Sequence, residues 1–282
     1  MHEVRTLPAV ALPIVFTVST ASVPVRSEPF PTQCSMPQAA SGKARKVDQQ
    51  CGLGGVFDTD AHRAQNAAKN NFCAVGAPTD LTRNDFERLQ AAAEQSGVEF
   101  GARDRLPADR GLLRQILALP DGARIGEGSL VRHVGFLSHP RPSNVEHGES
   151  VNCNFAGEPN NDVHFDLVQD TGDDACSSVT GEITPHRRAP HYEVTVLRLH
   201  RVSERPLRVT GQLFFDASHR PCRNGEPQEN LKRISLWEIH PVYTVDVCRR
   251  TTIADCQVTN ESVWIPLDRF VNLPQEEHGD AN

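Results

Sequence analysis

The stretch ISLWEIHPVYTVDVC, Ile234–Cys248, decides how this chain is read. Successive side chains of a strand point to opposite faces, so residues i and i+2 share one. Trp237 and Ile239 then fall on one face, and Glu238 and His240 on the other. The apolar face switches near Pro241, which predicts a long strand with a bulge. An acid and a base sit side by side on a strand whose opposite face is apolar. That pairing raises the question of what they do there.

Upstream, the same two-residue period runs back to about Gly126. Leu130–Leu137 reads as a first strand. In DVHFDLV, Asp162–Val168, the residues Val163, Phe165 and Leu167 face one way, and Asp162, His164 and Asp166 the other. Ser178–Thr184 is a third strand, and residues 189–204 are readable as a short helix. Leu207–Phe215 is a fourth, with Leu207, Val209, Leu213 and Phe215 aligned. Five strands with an insertion between the third and fourth match an OB-type small barrel. That assignment implies the order first, second, third, fifth, fourth, closing on the first. An antiparallel sandwich is the alternative.

Before Gly126 the period is helical. AHRAQNAAKNN, Ala61–Asn71, is polar and alanine-rich, with good helix formers. Leu81–Gly97 places Phe86, Leu89 and Ala93 on one face and stops at glycine. Pro107–Leu119 reads as a third short helix. The fold class is therefore α+β, a helical N-terminal region packed on a small five-stranded antiparallel OB-like β-barrel. The divisions are 1–25 signal peptide, 26–50 linker or loose arm, 51–125 helical region, 126–256 barrel and 257–282 C-terminal tail.

The signal assignment rests on one basic residue followed by an apolar run from Leu7 to about Val18 and small residues near Ala21. It predicts a secreted or periplasmic protein. No other stretch approaches the ~18 apolar residues of a membrane span. All eight cysteines lie beyond that segment, and an even count in an exported chain favours disulfides. The expected pairs are Cys51–Cys73, Cys153–Cys176 and Cys222–Cys248. The net charge of −7 does not favour nucleic acid as a partner, because phosphate contacts need clustered cations. A local basic groove stays open.

Nine of the twelve histidines lie between His133 and His240. Three dyads recur: Asp162-x-His164, Asp216-x-x-His219 and Glu238-x-His240. In the OB order, Asp162 and His164 share the outer face with Glu182, Glu238 and His240, and Asp216 and His219 lie near the same edge. Carboxylates beside imidazoles orient a tautomer, raise a histidine pKa or hold a divalent metal. The candidate catalytic residues are Asp162, His164, Glu182, Asp216, His219, Glu238 and His240. The candidate ligands of a divalent metal are His164, His240, Asp162 and Glu238. The same pairs can simply stabilise a sheet. The chain has no H-E-x-x-H, G-x-S-x-G or Walker A motif. The glycine-rich CGLGGVF at 51–57 reads as a turn.

The segments HRAQNAAKNNFCA, GESVNCNF, NNDVHFDLV, VTGQLFFDASHRPC and SLWEIHPVYTVDVC together resemble a family of exported bacterial proteins with no established activity. The resemblance spans about Cys51 to Trp264. The second half is also similar to shorter bacterial proteins with an OB-like barrel. These likenesses imply the fold and an exported bacterial setting, and supply no reaction.

Three functions fit. One is a ligand-binding module for an oligonucleotide, an oligosaccharide or another extracytoplasmic ligand, and it ranks first. Another is a metal-assisted hydrolase of the phosphodiesterase or nuclease type. The last is a structural envelope protein. Against binding, Gly126–Arg250 holds 14 Arg and Lys against 17 Asp and Glu, and aromatic residues make up 6% of the chain. Convergence of His164, Glu182 and His240 in a concave site favours the enzyme. A flat sheet with exposed aromatics favours binding, and dyads pointing apart favour the structural role.

Overall fold

Five strands close a barrel: β1 (Leu130–Pro142), β2 (Val163–Val168), β3 (Val179–Ile183), β4 (Pro206–Phe215) and β5 (Trp237–Cys248). The structure is a computed structural model that describes residues 42–52 and 54–274. The expected signal peptide, most of the expected arm, Cys34 and residues 275–282 lie outside the described residues. Around the ring the order is β1-β2-β3-β5-β4, and β4 pairs back onto β1. This is the expected order.

The expectation of an all-antiparallel barrel is corrected. β3 and β5 run parallel, with Thr180 opposite Glu238 and Gly181 opposite Ile239. A ring of five strands cannot alternate direction all the way round. Strands that reverse at each step put the third and fifth in the same direction, so their junction must be parallel.

Alternation explains the interior. Val163, Phe165 and Leu167 of β2, Val179 and Ile183 of β3 and Trp237 and Ile239 of β5 are buried together in one core. Gly181 leaves room for a ring, since a Cβ there would lie 2.5 Å from Phe165. β5 carries two register shifts against β4, one on each side of Gly211. The inward face moves from Ile239 to Val242 across one bulge and returns to Val245 and Val247 across the other. Tyr243, released to the other side, packs with Phe72 and Ala74.

The helical layer begins with α1 (Asp60–Lys69), where Thr59 caps the end by accepting from the His62 amide at 3.1 Å. In α2 (Arg83–Gln95), Thr82 and Asp85 form a capping box, and Phe86, Leu89 and Ala93 are fully buried, as their spacing predicts. The third expected helix, Pro107–Leu119, does not form. Gly111–Leu113 makes one 3-10 turn, and Leu117–Ala118 pairs with Arg124–Ile125 across the Pro120–Gly122 turn. Proline and glycine close by favour that hairpin over a helix.

Two described segments, 42–50 and 264–270, carry regular structure. Residues 42–50 fall in the segment read as linker or arm, yet Lys46–Gln50 is helical and Val47 is fully buried. In the segment read as a tail, Trp264–Pro266 pairs with the end of β5 and Leu267 and Phe270 enter the core. The disulfides also differ from expectation. They join Cys51–Cys153, Cys176–Cys222 and Cys248–Cys256. Cys73 is disulfide-bonded as well. The loop between β1 and β2 folds back on residue 51, a closure that sequence proximity does not reveal. Among the described residues no helix is long and apolar enough to cross a membrane.

Candidate functional site

The outer face of β2, β3 and β5 is not a solvated surface. α1 and the loop between β1 and β2 cover it, and Asp162, His164, Glu182, Glu238 and His240 are all buried. Sheet register builds the cluster. His164 stands opposite Glu182 across β2 and β3, and the Thr180–Glu238 pairing brings Glu182 beside His240. Glu182 Oε1 lies 3.0 Å from His164 Nε2, and Glu182 Oε2 lies 2.6 Å from His240 Nδ1. Asp162 Oδ2 is 3.7 Å from His240 Nε2. His164, Glu182 and His240 therefore converge, but Glu182 and His240 are fully buried and only His164 of the three reaches a cleft.

Two residues that the sequence reading passed over complete the centre. Lys69, the last residue of α1, puts Nζ 3.2 Å from Glu182, 3.5 Å from Asp162 and 3.7 Å from Glu149. Glu149 comes from the β1–β2 loop and lies 3.8 Å from His164 Nε2. Ser143 and Asn152 donate to its carboxylate at 2.9 and 3.2 Å. The signal for Lys69 was legible. Gln65, Asn66, Lys69 and Asn70 fall on one face of α1, a polar stripe where a core-facing helix usually carries apolar residues.

Burial disfavours charge on every group here, and the neighbours decide each outcome. On Glu182, burial is outweighed by His164, Lys69 and His240, which hold the carboxyl well below its usual range. On His240, burial is outweighed by Glu182, which lifts the imidazole to about 9. Glu149 and Glu182 likewise keep Lys69 protonated against its burial. Asp162 goes the other way: burial and the Glu149 charge raise it to about 6. Asp162 is thus held above the usual carboxylate range while Glu182 is held below it.

The other candidates separate from this centre. Glu238 borders the centre, 3.8 Å from His240 Nδ1 against 2.6 Å for Glu182, but its own partner is the buried guanidinium of Arg233. Asp216 accepts from Gln65 at 3.1 Å and from the Ser218 amide at 3.2 Å. Its carboxyl is pushed down to about 2, because His219, Lys69 and Arg233 outweigh burial. His219 lies 3.5 Å from Asp216 and 2.8 Å from Glu229. Both Asp216 and His219 line a cleft of about 530 Å³, together with Lys69, Glu149 and His164. The cleft therefore has Lys69, Glu149 and His164, the outer edge of the cluster, and the Asp216–His219 pair in its lining, while Asp162, Glu182 and His240 lie buried behind.

The cluster suits a metal ion by its donors. Glu149, Asp162 and His164 form one group of convergent ligand atoms, and Asp162, Glu182 and His240 form a second, within 4.8 Å in each group. Glu238, expected as a ligand, belongs to neither. Both nitrogens of His240, His164 Nε2, both oxygens of Glu182 and Asp162 Oδ2 are buried without a directed hydrogen bond. They meet one another as close ion pairs, Glu182 with both imidazoles and with Lys69, so an ion that entered would have to displace the ammonium and the imidazole protons. No family model matches the chain, and neither a curated protein nor a solved structure matches it. The family likeness rests on the quoted motifs alone.

Proposed function

We propose that this chain is an exported metal-assisted hydrolase of the phosphodiesterase type, built on an OB-like barrel. The observation that carries this is the convergence of ligand atoms from Glu149, Asp162 and His164 and from Asp162, Glu182 and His240, within 4.8 Å in each group, with Glu149 and His164 reaching the cleft. The barrel order with one parallel junction supports the OB assignment. The cleft lies between residues 143–154 and residues 216–231, the β1–β2 and β4–β5 connections, where OB barrels carry their ligands. Three disulfides and the N-terminal sequence support export.

Glu149, Asp162 and His164 would hold the ion at the cleft wall, with Glu182 and His240 behind them. When bound, a divalent ion polarises the phosphoryl oxygen and lowers the pKa of water. Glu182 holds both imidazoles in place through two opposed contacts. His219, with Glu229 at one nitrogen and the cleft beside it, is placed to give a proton to the leaving oxygen. Water then adds across one P–O bond, its oxygen to phosphorus and a proton to the oxygen that departs.

Ligand binding without turnover is the second reading, and the same two connections around the cleft favour it. The test is metal content of the oxidised protein, followed by hydrolysis of bis(p-nitrophenyl) phosphate with Mn²⁺, Zn²⁺ or Mg²⁺. Stoichiometric metal and turnover, both lost in His164→Ala and His240→Ala, are expected. A folded protein that takes up no metal and cleaves nothing refutes the hydrolase and leaves the binding module.

A further inference from the structure

A second cavity, of about 440 Å³, is lined by residues that neighbour the lining of the first in sequence. Two chain segments pass from one to the other. Arg103 and His219 line the first cavity, and Arg105 and Arg220 line the second. Arg223, Phe100, Pro221 and Glu99 contribute further walls. Arg220 is tied down by donating from Nε to the Gly101 carbonyl at 3.2 Å. Arg223 lies 3.7 Å from Glu94. Neither the Arg105 nor the Arg220 guanidinium pairs with a carboxylate among the described residues.

Lys69, Arg103, Arg141, Arg105, Arg220 and Arg223 face Glu149, Asp216 and Glu99 across the two cavities. Lys69, Arg103, Arg141 and Arg223 are already engaged, by Glu182, Asp58, Asp166 and Glu94, so Arg105 and Arg220 are the cations of these walls that the described ion pairs leave for a ligand. Two guanidiniums on one concave wall, unpaired with carboxylates, are what a backbone phosphate requires. Phe100 adds a stacking surface. Its ring sits edge-on to Phe215, with centroids 6.1 Å apart, and also lines the cavity. A half-buried ring between arginines suits a nucleobase freed from its stack, and an acidic sugar has no such flat face.

We propose that this second cavity is a subsite for a single-stranded polynucleotide. Arg105 and Arg220 hold a phosphate next to the one at the His/carboxylate centre, and Phe100 stacks a base. The cleavage of that strand rests on the proposed hydrolase reading; its binding does not. A duplex does not fit, because its bases are already stacked and paired and cannot reach a ring at the wall of a cavity.

The test uses the whole oxidised chain, EDTA and a fluorescently labelled deoxythymidine 12-mer, read by anisotropy. Expected is binding that weakens steeply with added salt. Arg105→Glu/Arg220→Glu should weaken it at least tenfold, and Phe100→Leu roughly fivefold or more, as loss of one stacked base implies. Unchanged circular dichroism of these exposed-arginine variants controls for folding. Failure of the 12-mer to bind, indifference to the double reversal, or equal competition by duplex DNA or polygalacturonate would each overturn the subsite. If the strand binds in the arginine-dependent way but no divalent metal leads to its cleavage, the subsite stands and the hydrolase falls. If bis(p-nitrophenyl) phosphate is cleaved and the strand does not bind, the reverse holds.

Discussion

Lys69→Met isolates what the centre is for. The ammonium touches Glu182, Asp162 and Glu149 at 3.2, 3.5 and 3.7 Å, and its side chain is 12% exposed. At an effective dielectric constant near 20, one such contact is worth about 5 kcal/mol before desolvation. Removing one partner of a buried ion pair costs about 3–5 kcal/mol net, since the other charges stay buried. Methionine keeps most of the stem and deletes the charge, so in EDTA the variant should lose about that much stability. A divalent ion should bind the variant at least tenfold more tightly than the wild type, because a competing cation has gone. Metal at about 100 times its Kd then restores about 2.7 kcal/mol. Urea unfolding of both proteins, with EDTA and with Mn²⁺ or Zn²⁺, measures each quantity. A loss under about 1 kcal/mol in EDTA would show that Lys69 does not hold the carboxylates. A full loss with no recovery in any metal would show that the ammonium is the resident cation of a metal-free centre, and the argument for a metalloenzyme would be refuted.

Arg110 and Glu127 form a further buried pair, bonded from Nε to Oε2 at 2.7 Å. Arg110→Met should cost about 3–5 kcal/mol in urea unfolding, and Arg110→Met/Glu127→Met clearly less; additive losses would contradict this. Burial lowers the pKa of His133 despite its bond to the Leu81 carbonyl at 2.7 Å. The folded pKa lies below the unfolded value, so this contribution is complete above about pH 6.5 and is lost as pH falls through the lowered pKa. The stability of His133→Leu should therefore vary less than the wild type between about pH 7 and about pH 5 in urea titrations. A parallel fall would remove His133 as a cause. Cys51→Ala/Cys153→Ala opens a bridge spanning 102 residues, and chain entropy predicts a loss near 4–5 kcal/mol, read from thermal and urea unfolding. A loss under about 1 kcal/mol would mean that the β1–β2 loop holds its place without the bridge.

The barrel was legible because its strands announce themselves by a period of two and by apolar faces. Val163, Phe165 and Leu167 on one strand and Trp237 and Ile239 on another carry it. The parallel junction follows from the strand order and an odd count, so it could have been read too. The helix at 107–119 could not survive its glycine and the turn that follows it. The disulfides were illegible for a physical reason: Cys51 and Cys153 meet through a loop closure that no local pattern encodes. The same holds for Glu149, which reaches His164 only because that loop folds over β2.

The sequence also treated Glu238 and His240 as one dyad, and the structure gives them different work. Both point outward from β5, yet Glu238 turns to Arg233 while His240 turns to Glu182 and Asp162. The division has an electrostatic cause. Glu149, Asp162, Glu182 and Glu238 crowd one buried face, and side-by-side carboxylates cannot all ionise without cations between them. Arg233 serves one end and Lys69 the other, with the two imidazoles in the middle. A sheet that needed only stability would fill such a face with apolar residues, because a buried ion pair seldom outperforms them. Keeping four carboxylates there, and closing them in with a helix whose last residue is a lysine, makes sense where the negative charge itself is used.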